Sequence, residues 1–114
     1  MTESAKKIDF LLKKILGRKN FAKIKDYPLF YKKVWLTVLK IPQGTTRTYK
    51  WVAEKVGIPK AYRAVGVALK NNPLPIIIPC HRVIKSSGEL GGYIYGVKKK
   101  YQLLLKEKAV KKGP

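Results

Sequence analysis

Three prolines between positions 73 and 79 decide where this chain cannot be helical. Pro73, Pro75 and Pro79 bracket the apolar run Ile76-Ile77-Ile78. Each lacks a backbone N–H and its ring clashes with a preceding turn, so no helix runs through the stretch. Residues 71–79 are therefore expected to form an extended, buried connection that delivers Cys80 and His81 to a fixed place. Everything else must be arranged as elements before and after this break.

Before it, Ile8, Leu11, Leu12, Ile15 and Leu16 recur at helical spacing, which predicts one helix over 8–16 broken by Gly17-Arg18-Lys19-Asn20. Asp26-Tyr27-Pro28 opens a second helix, about 29–39, with Phe30, Val34 and Val38 on one stripe, Trp35 beside it and Ile41-Pro42-Gln43-Gly44 behind it. Thr48 suits the N-cap of a helix over 49–56 and Gly57 the C′ position after it. Pro59 then opens a helix running to about Lys70. Helix, tight glycine turn, helix is the helix-turn-helix pattern, although αα-hairpins of the same outline occur in any helical protein. After the break, Val83-Ile84 is a short β element, Ser86-Ser87-Gly88 a turn, and 89–96 a hairpin return or glycine-rich loop. A last helix, 97–108, turns Val97, Tyr101, Leu104 and Leu105 inward, with Glu107 near that face.

The charge narrows the partners. Twenty-six Lys and Arg against six Asp and Glu leave a net +20 on 114 residues. That excess attracts polyanions, nucleic acid first and an anionic membrane surface second; lysine enrichment also marks proteins tuned for heat. One cysteine excludes an internal disulfide and one histidine a multi-histidine metal site. No apolar run reaches the length of a membrane span and the basic N-terminus lacks a signal-peptide core, so a cytoplasmic, intracellular protein is expected.

Cys80 and His81 are the residues with chemistry. A thiol attacks as thiolate and needs a base, a positive charge or a helix N-terminus to lower its pKa. Neighbours on an extended chain point apart, so a water is a reasonable bridge from His81 to the sulfur. Glu107 is the candidate among six acids to orient the base. The plainer reading is a small buried cysteine and a satisfied core histidine.

The run from Asn72 through Pro79-Cys80-His81-Arg82-Val83 to Ile84 resembles the active-site signature of the O6-alkylguanine-DNA alkyltransferases. Gly44-Thr45-Thr46-Arg47-Thr48-Tyr49, Ala61-Tyr62-Arg63-Ala64-Val65-Gly66, Ser87-Gly88-Glu89-Leu90-Gly91-Gly92-Tyr93 and Leu103-Leu104-Leu105-Lys106-Glu107 extend the likeness in order over about 28–108. The resemblance implies a mainly α fold, a winged helix-turn-helix-like DNA-binding domain with a small β element. It implies Cys80 as alkyl acceptor, His81 as its base through a water, Glu107 orienting His81, Asn72 bracing the turn, and Tyr49 pushing on the target phosphate and serving near guanine N3. Arg63 would fill the gap left by a flipped base. Lys50, Tyr31, Ala64, Gly66 and Ser86 would join Tyr49 and Arg63 as DNA contacts, and Leu69, Tyr93, Ile94 and Tyr95 would form the base pocket. Small residues at 61, 64, 66 and 68 suit close approach to a minor groove, or tight helix packing.

The resemblance further implies a monomer acting on double-stranded DNA that contains O6-alkylguanine, with no cofactor, no metal and no membrane. Residues 1–27 are expected to be a short basic segment of one helix, outside any family assignment, and 28–114 the catalytic and DNA-binding domain. Ile94 and Tyr95 replace an arginine and a tryptophan usual in microbial members, and a bulky Tyr95 would narrow the pocket against benzyl groups. A non-catalytic alkyltransferase-like sensor is the alternative, although such proteins commonly replace the cysteine. A cysteine hydrolase would need an oxyanion hole that nothing in the sequence suggests.

Overall fold

A computed structural model describes residues 2–110. Met1 and the last four residues of the expected 28–114 domain lie outside the described residues. Helix α1, Glu3–Leu16, begins earlier than the apolar periodicity suggests because Thr2 Oγ1 accepts the Ala5 N–H at 3.0 Å. Gly17, at φ +83°, ends it, but Arg18–Ala22 is helical again as α2. The N-terminal segment thus holds two helices rather than one, and only Gly17 interrupts them. Leu12 and Ile24 from this segment are fully buried, while Ile15 stands half exposed. Lys32 on the next helix fastens the segment: its Nζ lies 2.8 Å from Asp9 Oδ1 and donates to the Lys25 carbonyl at 2.9 Å.

Helix α3, Leu29–Leu39, follows Pro28 as expected and forms the centre. Val34, Trp35 and Val38 have no exposed surface. Trp35 Nε1 donates to the Ala68 carbonyl at 3.0 Å, which docks α3 against the helix carrying Ala68. That helix is α5, Tyr62–Lys70, and it follows α4, Tyr49–Lys55. Thr48 caps α4, its hydroxyl accepting the Trp51 N–H at 2.9 Å. Gly57, at φ +87°, closes it: its N–H reaches Glu54 O and that of Ile58 reaches Ala53 O, the two bonds of a Schellman turn. The helix-turn-helix is therefore present. Pro59 does not open α5, however. It sits in the connecting turn, where Ala61 N–H bonds to Ile58 O, and the helix begins three residues later.

The proline stretch is folded back rather than extended. Asn72 is buried; its Nδ2 donates to Ile78 O at 2.9 Å and its Oδ1 accepts from Leu74 N–H at 2.8 Å. Leu74 and Ile78 are buried, whereas Ile76 and Ile77 are half exposed and Ile76 takes φ +75°. A β-branched residue in that region is strained, and it persists because the Asn72 bonds hold both sides of the loop. The chain then makes one 3-10 turn, Cys80–Arg82, and a two-residue strand β2, Val83–Ile84. Its partner is β1, Arg47–Thr48, paired in parallel with Arg47 opposite Val83 and Thr48 opposite Ile84. Residues 89–96 are loop, the second of the two alternatives, with no return strand. Helix α6, Val97–Lys106, completes a mainly α fold with its small β element. On α6, Leu104 faces inward as expected, but Val97 is half exposed and Lys100 is fully buried instead. No helix among the described residues is long and apolar enough to cross a membrane.

Candidate active site

Cys80 and His81 sit on the 3-10 turn, buried to 5% and 0% exposure. Opposite them α6 ends in a second Schellman turn. Lys108 takes φ +62°, its N–H bonding to Leu105 O and that of Ala109 to Leu104 O, which fixes Glu107 at the C-cap. The Glu107 carbonyl would stand 3.3 Å from a Cβ at Gly44, itself at φ +88°, so this end of α6 also needs a glycine beside it.

Glu107 Oε2 lies 3.1 Å from His81 Nε2. Arg82 grips the same carboxylate with two bonds, Nε to Oε1 at 3.0 Å and Nη2 to Oε2 at 2.7 Å, and its Nη1 donates to Ile41 O at 2.9 Å. The Arg82 bonds chiefly, then His81, hold the Glu107 pKa below the usual carboxylate value. An ionised carboxylate only accepts, so the hydrogen of neutral His81 belongs on Nε2 and Nδ1 carries the free lone pair. Nδ1 is buried with no protein partner. Burial lowers the His81 pKa against the opposing pull of Glu107, so the imidazole is neutral at pH 7 and able to take a proton.

Burial raises the Cys80 pKa, while a side-chain bond from Asn72, the charge of Lys100 and backbone N–H groups of the turn pull it down. The resting group is a thiol. It becomes a nucleophile only when a base removes its proton.

Cys80 opens on a cavity of about 590 Å³. Tyr49, Gly66 and Leu69 line one side of it, Lys70 and Asn71 belong to its lining at the end of α5, and Gly92, Tyr93 and Ile94 come from the loop. Tyr95 is not in the lining. It is 57% exposed with its ring edge-on to Tyr93 at 5.7 Å, so Ile94 and not Tyr95 shapes the cavity wall. Burial pushes the Tyr93 pKa up to about 12, and its hydroxyl is buried without a partner. The Tyr49 ring is held between two glycines: a Cβ at Gly66 would stand 3.9 Å from it, and one at Gly91 only 2.8 Å from its hydroxyl. Gly91 is also at φ +78°, so neither space nor backbone permits a side chain there.

Sequence reasoning missed Lys100. Its buried Nζ donates to Val83 O at 2.6 Å, to Leu90 O, to Gly92 O at 3.3 Å and to the Tyr49 hydroxyl at 3.5 Å. One ammonium thereby ties β2, the pocket loop and α4 together. Burial lowers its pKa to about 8, which leaves it charged at neutral pH. The available signal was spacing, since Lys100 stands four residues before Leu104 on the inward stripe. The sequence likewise marks Arg82 only as part of a motif.

Of the other expected contacts, Lys50, Arg63, Ala64 and Ser86 are exposed, on α4, α5 and the turn after β2. The Arg63 guanidinium stands 5.9 Å from the Tyr62 ring centre. Tyr31 is half buried in a cluster with Tyr27 and Trp35, with ring centres 6.3 and 5.8 Å away, and does not line the cavity.

A family model described as the DNA-binding domain of 6-O-methylguanine DNA methyltransferase matches residues 29–109. A methylated-DNA–protein-cysteine methyltransferase of Methanosarcina barkeri is 54% identical over 79 residues, 68% of this chain and 50% of that protein. The chain spans about half the length of the curated relatives it matches. Among solved structures, Mycobacterium tuberculosis OGT in complex with DNA superposes with a TM-score of 0.69 at 50% identity, over 70% of this chain and 50% of that one. S. pombe Atl1, in complex with damaged DNA containing O6-carboxymethylguanine, superposes at 0.61 and 36% identity, over 68% of this chain and 74% of its own.

Proposed function

The chain belongs to the 6-O-methylguanine DNA methyltransferase family through its DNA-binding domain, and on that premise we propose that it repairs DNA by moving the alkyl group of O6-alkylguanine onto Cys80. The observation that supports this reading is a buried thiol on the same 3-10 turn as a buried histidine whose Nδ1 is free and whose Nε2 is held by Glu107.

A base stacked in duplex DNA is out of reach of a buried thiol, so the damaged guanine rotates into the cavity beside Cys80. Arg63, exposed on α5, enters the gap it leaves. His81 Nδ1 takes the thiol proton through a bridging water, and the thiolate attacks the alkyl carbon in line. The S–C bond forms, the C–O6 bond breaks, and its electron pair passes to the guanine ring. Burial raises the Tyr49 pKa, so its phenol keeps a proton to donate at N3 of the leaving base. A thioether offers no leaving group, so each molecule reacts once.

Incubation with a duplex carrying O6-methylguanine, followed by digestion and mass measurement, should add one methyl group to the peptide containing Cys80, with a 1:1 limit. Cys80→Ala should lose all transfer and retain DNA binding. The likeness to Atl1 supports a second reading, a sensor that binds alkylated DNA without reacting; tight binding with no mass change would select it. Affinity for DNA should fall steeply with salt because +20 of charge neutralises phosphates and releases counterions. A flat salt response would break the link between charge and DNA.

A further inference from the structure

We propose that Arg82 is a positioning residue for this reaction: its fork on Glu107, anchored at the Ile41 carbonyl, holds the carboxylate so that His81 keeps its proton on Nε2 and its lone pair on Nδ1. The inference rests on the alkyl-transfer reading above. Its basis is geometric. Glu107 receives three bonds, two of them from Arg82, and the Arg82 bond to Oε2 at 2.7 Å is shorter than that from His81 at 3.1 Å. Arg82 and Glu107 are both largely buried, at 15% and 13% side-chain exposure, and His81 is fully so. A carboxylate at the C-cap of α6 has a rotatable side chain, and a single bond from imidazole would leave it free to turn. The guanidinium spans both oxygens and reaches the chain just beyond α3, so the plane of the carboxylate is set by the protein core.

Arg82 also divides the carboxylate's charge. The groups that face His81 are Cys80 and Arg82 on its own turn, Lys100 on α6 and Glu107 at its C-cap, and Tyr93 on the pocket loop, whose ring centre is 6.4 Å away; the chain just beyond α3 contributes the Ile41 carbonyl to Arg82. Glu107 favours imidazolium, while Arg82 and Lys100 oppose it. Removing Arg82 gives His81 an undivided anion and takes away an opposing cation. The imidazole then holds its proton to higher pH, and the base is occupied where it should be vacant.

His81 is the only histidine in the chain, so the nitrogen-15 imidazole spectrum of the full-length protein reports this residue alone. The unmodified protein should show a protonated Nε2 and a bare Nδ1. In Arg82→Gln the spectrum should show mixed tautomers and a higher His81 pKa. The acid limb of the methyl-transfer rate should move to higher pH, with a rate at pH 7 lower by about tenfold, part of the effect a general base supplies. Arg82→Lys keeps the charge and loses the fork, so mixed tautomers should appear with a smaller pKa change. A native spectrum, His81 pKa and pH–rate profile in Arg82→Gln would overturn the proposal and leave Arg82 a structural buttress, whatever the melting temperature does. Should Arg82→Gln not fold, the same native result in Arg82→Lys overturns it. If the unmodified protein leaves Cys80 without a methyl group, the transfer reading fails, and the imidazole spectra still decide the role of Arg82.

Discussion

The two halves of this molecule are held by different physics. The recognition half, α4 and α5, rests on local signals: a threonine cap, a glycine Schellman turn and one indole bond from α3. No buried charge lies on either helix. The chemical half, from Asn72 through the 3-10 turn to α6, has little regular structure outside α6 and is held by buried polar side chains: Lys100, His81 and the Arg82–Glu107 pair each reach residues distant in sequence, and Asn72 ties the two sides of its own loop. On the proposed reading, a surface that meets DNA of any sequence needs only a firm frame. A site that must hold one proton on one nitrogen needs every polar partner specified, and such networks are costly to break in part.

The sharpest test of the contrast is Lys100→Met. It keeps the side-chain length and strands the carbonyls of Val83, Leu90 and Gly92, so chemical denaturation should show a loss of about 3 kcal/mol. A loss under 1 kcal/mol would mean that water replaces the ammonium and that the chemical half is not held as described. Next is Gly91→Ala, which forces a methyl group against the Tyr49 hydroxyl in a backbone conformation that disfavours it. It should destabilise by about 2 kcal/mol and depress methyl transfer more than DNA affinity in a direct comparison of the two. Equal losses would place Tyr49 in binding rather than chemistry.

Acid gives a finer separation. The native His81 pKa lies below its ordinary 6.5 because the ring is buried. Below pH 6.5 the unfolded chain therefore binds the proton more readily than the folded one. The stability this group contributes is complete above that pH and is lost as pH falls from there towards the lowered native value, with a slope of at most about 1.4 kcal/mol per pH unit. Glu107 adds a second loss below its ordinary 4.5, since Arg82 holds its native pKa down. Replacing His81 by Gln should flatten the first part of a melting-temperature profile and leave the second. Smallest is Thr48→Ala in the recognition half, expected to lower stability by about 1 kcal/mol through a lost cap. That decrement should not vary between pH 5 and 8; a decrement that grows in acid would show the two halves to be coupled.

The same contrast governs what was legible in the amino-acid sequence. Local signals read well: α3 begins after Pro28 and ends at Leu39, and Thr48 and Gly57 bound α4 as their side-chain chemistry requires. His81 and Glu107, 26 residues apart in sequence, meet at 3.1 Å, an approach that no local signal announced. Choices that depend on which partner a polar group finds did not read. Prolines announce where a helix cannot be, but the fold-back of 71–79 depends on which partners Asn72 finds, Ile78 O and Leu74 N–H. Pro59 suits a first helical position and equally a turn, and the turn prevailed. A lysine on an inward stripe reads as an error of phase until three carbonyls from outside its helix converge on it. The family resemblance places both Ile94 and Tyr95 in the pocket, yet Tyr95 is 57% exposed and only Ile94 lines the cavity.

The two-residue ladder of Arg47–Thr48 on Val83–Ile84 has a consequence for how the protein is born. The paired segments are separated by the whole helix-turn-helix and the proline loop, so the ladder closes a long loop, and closure entropy is repaid only once both are in place. On that topology the helices are expected to precede the ladder, and Cys80, which lies one turn before it, would be among the last groups to leave solvent. In that order of events a newly made chain would leave its one thiol open to electrophiles in the surroundings for an interval, and a thiol consumed then could no longer serve the proposed transfer.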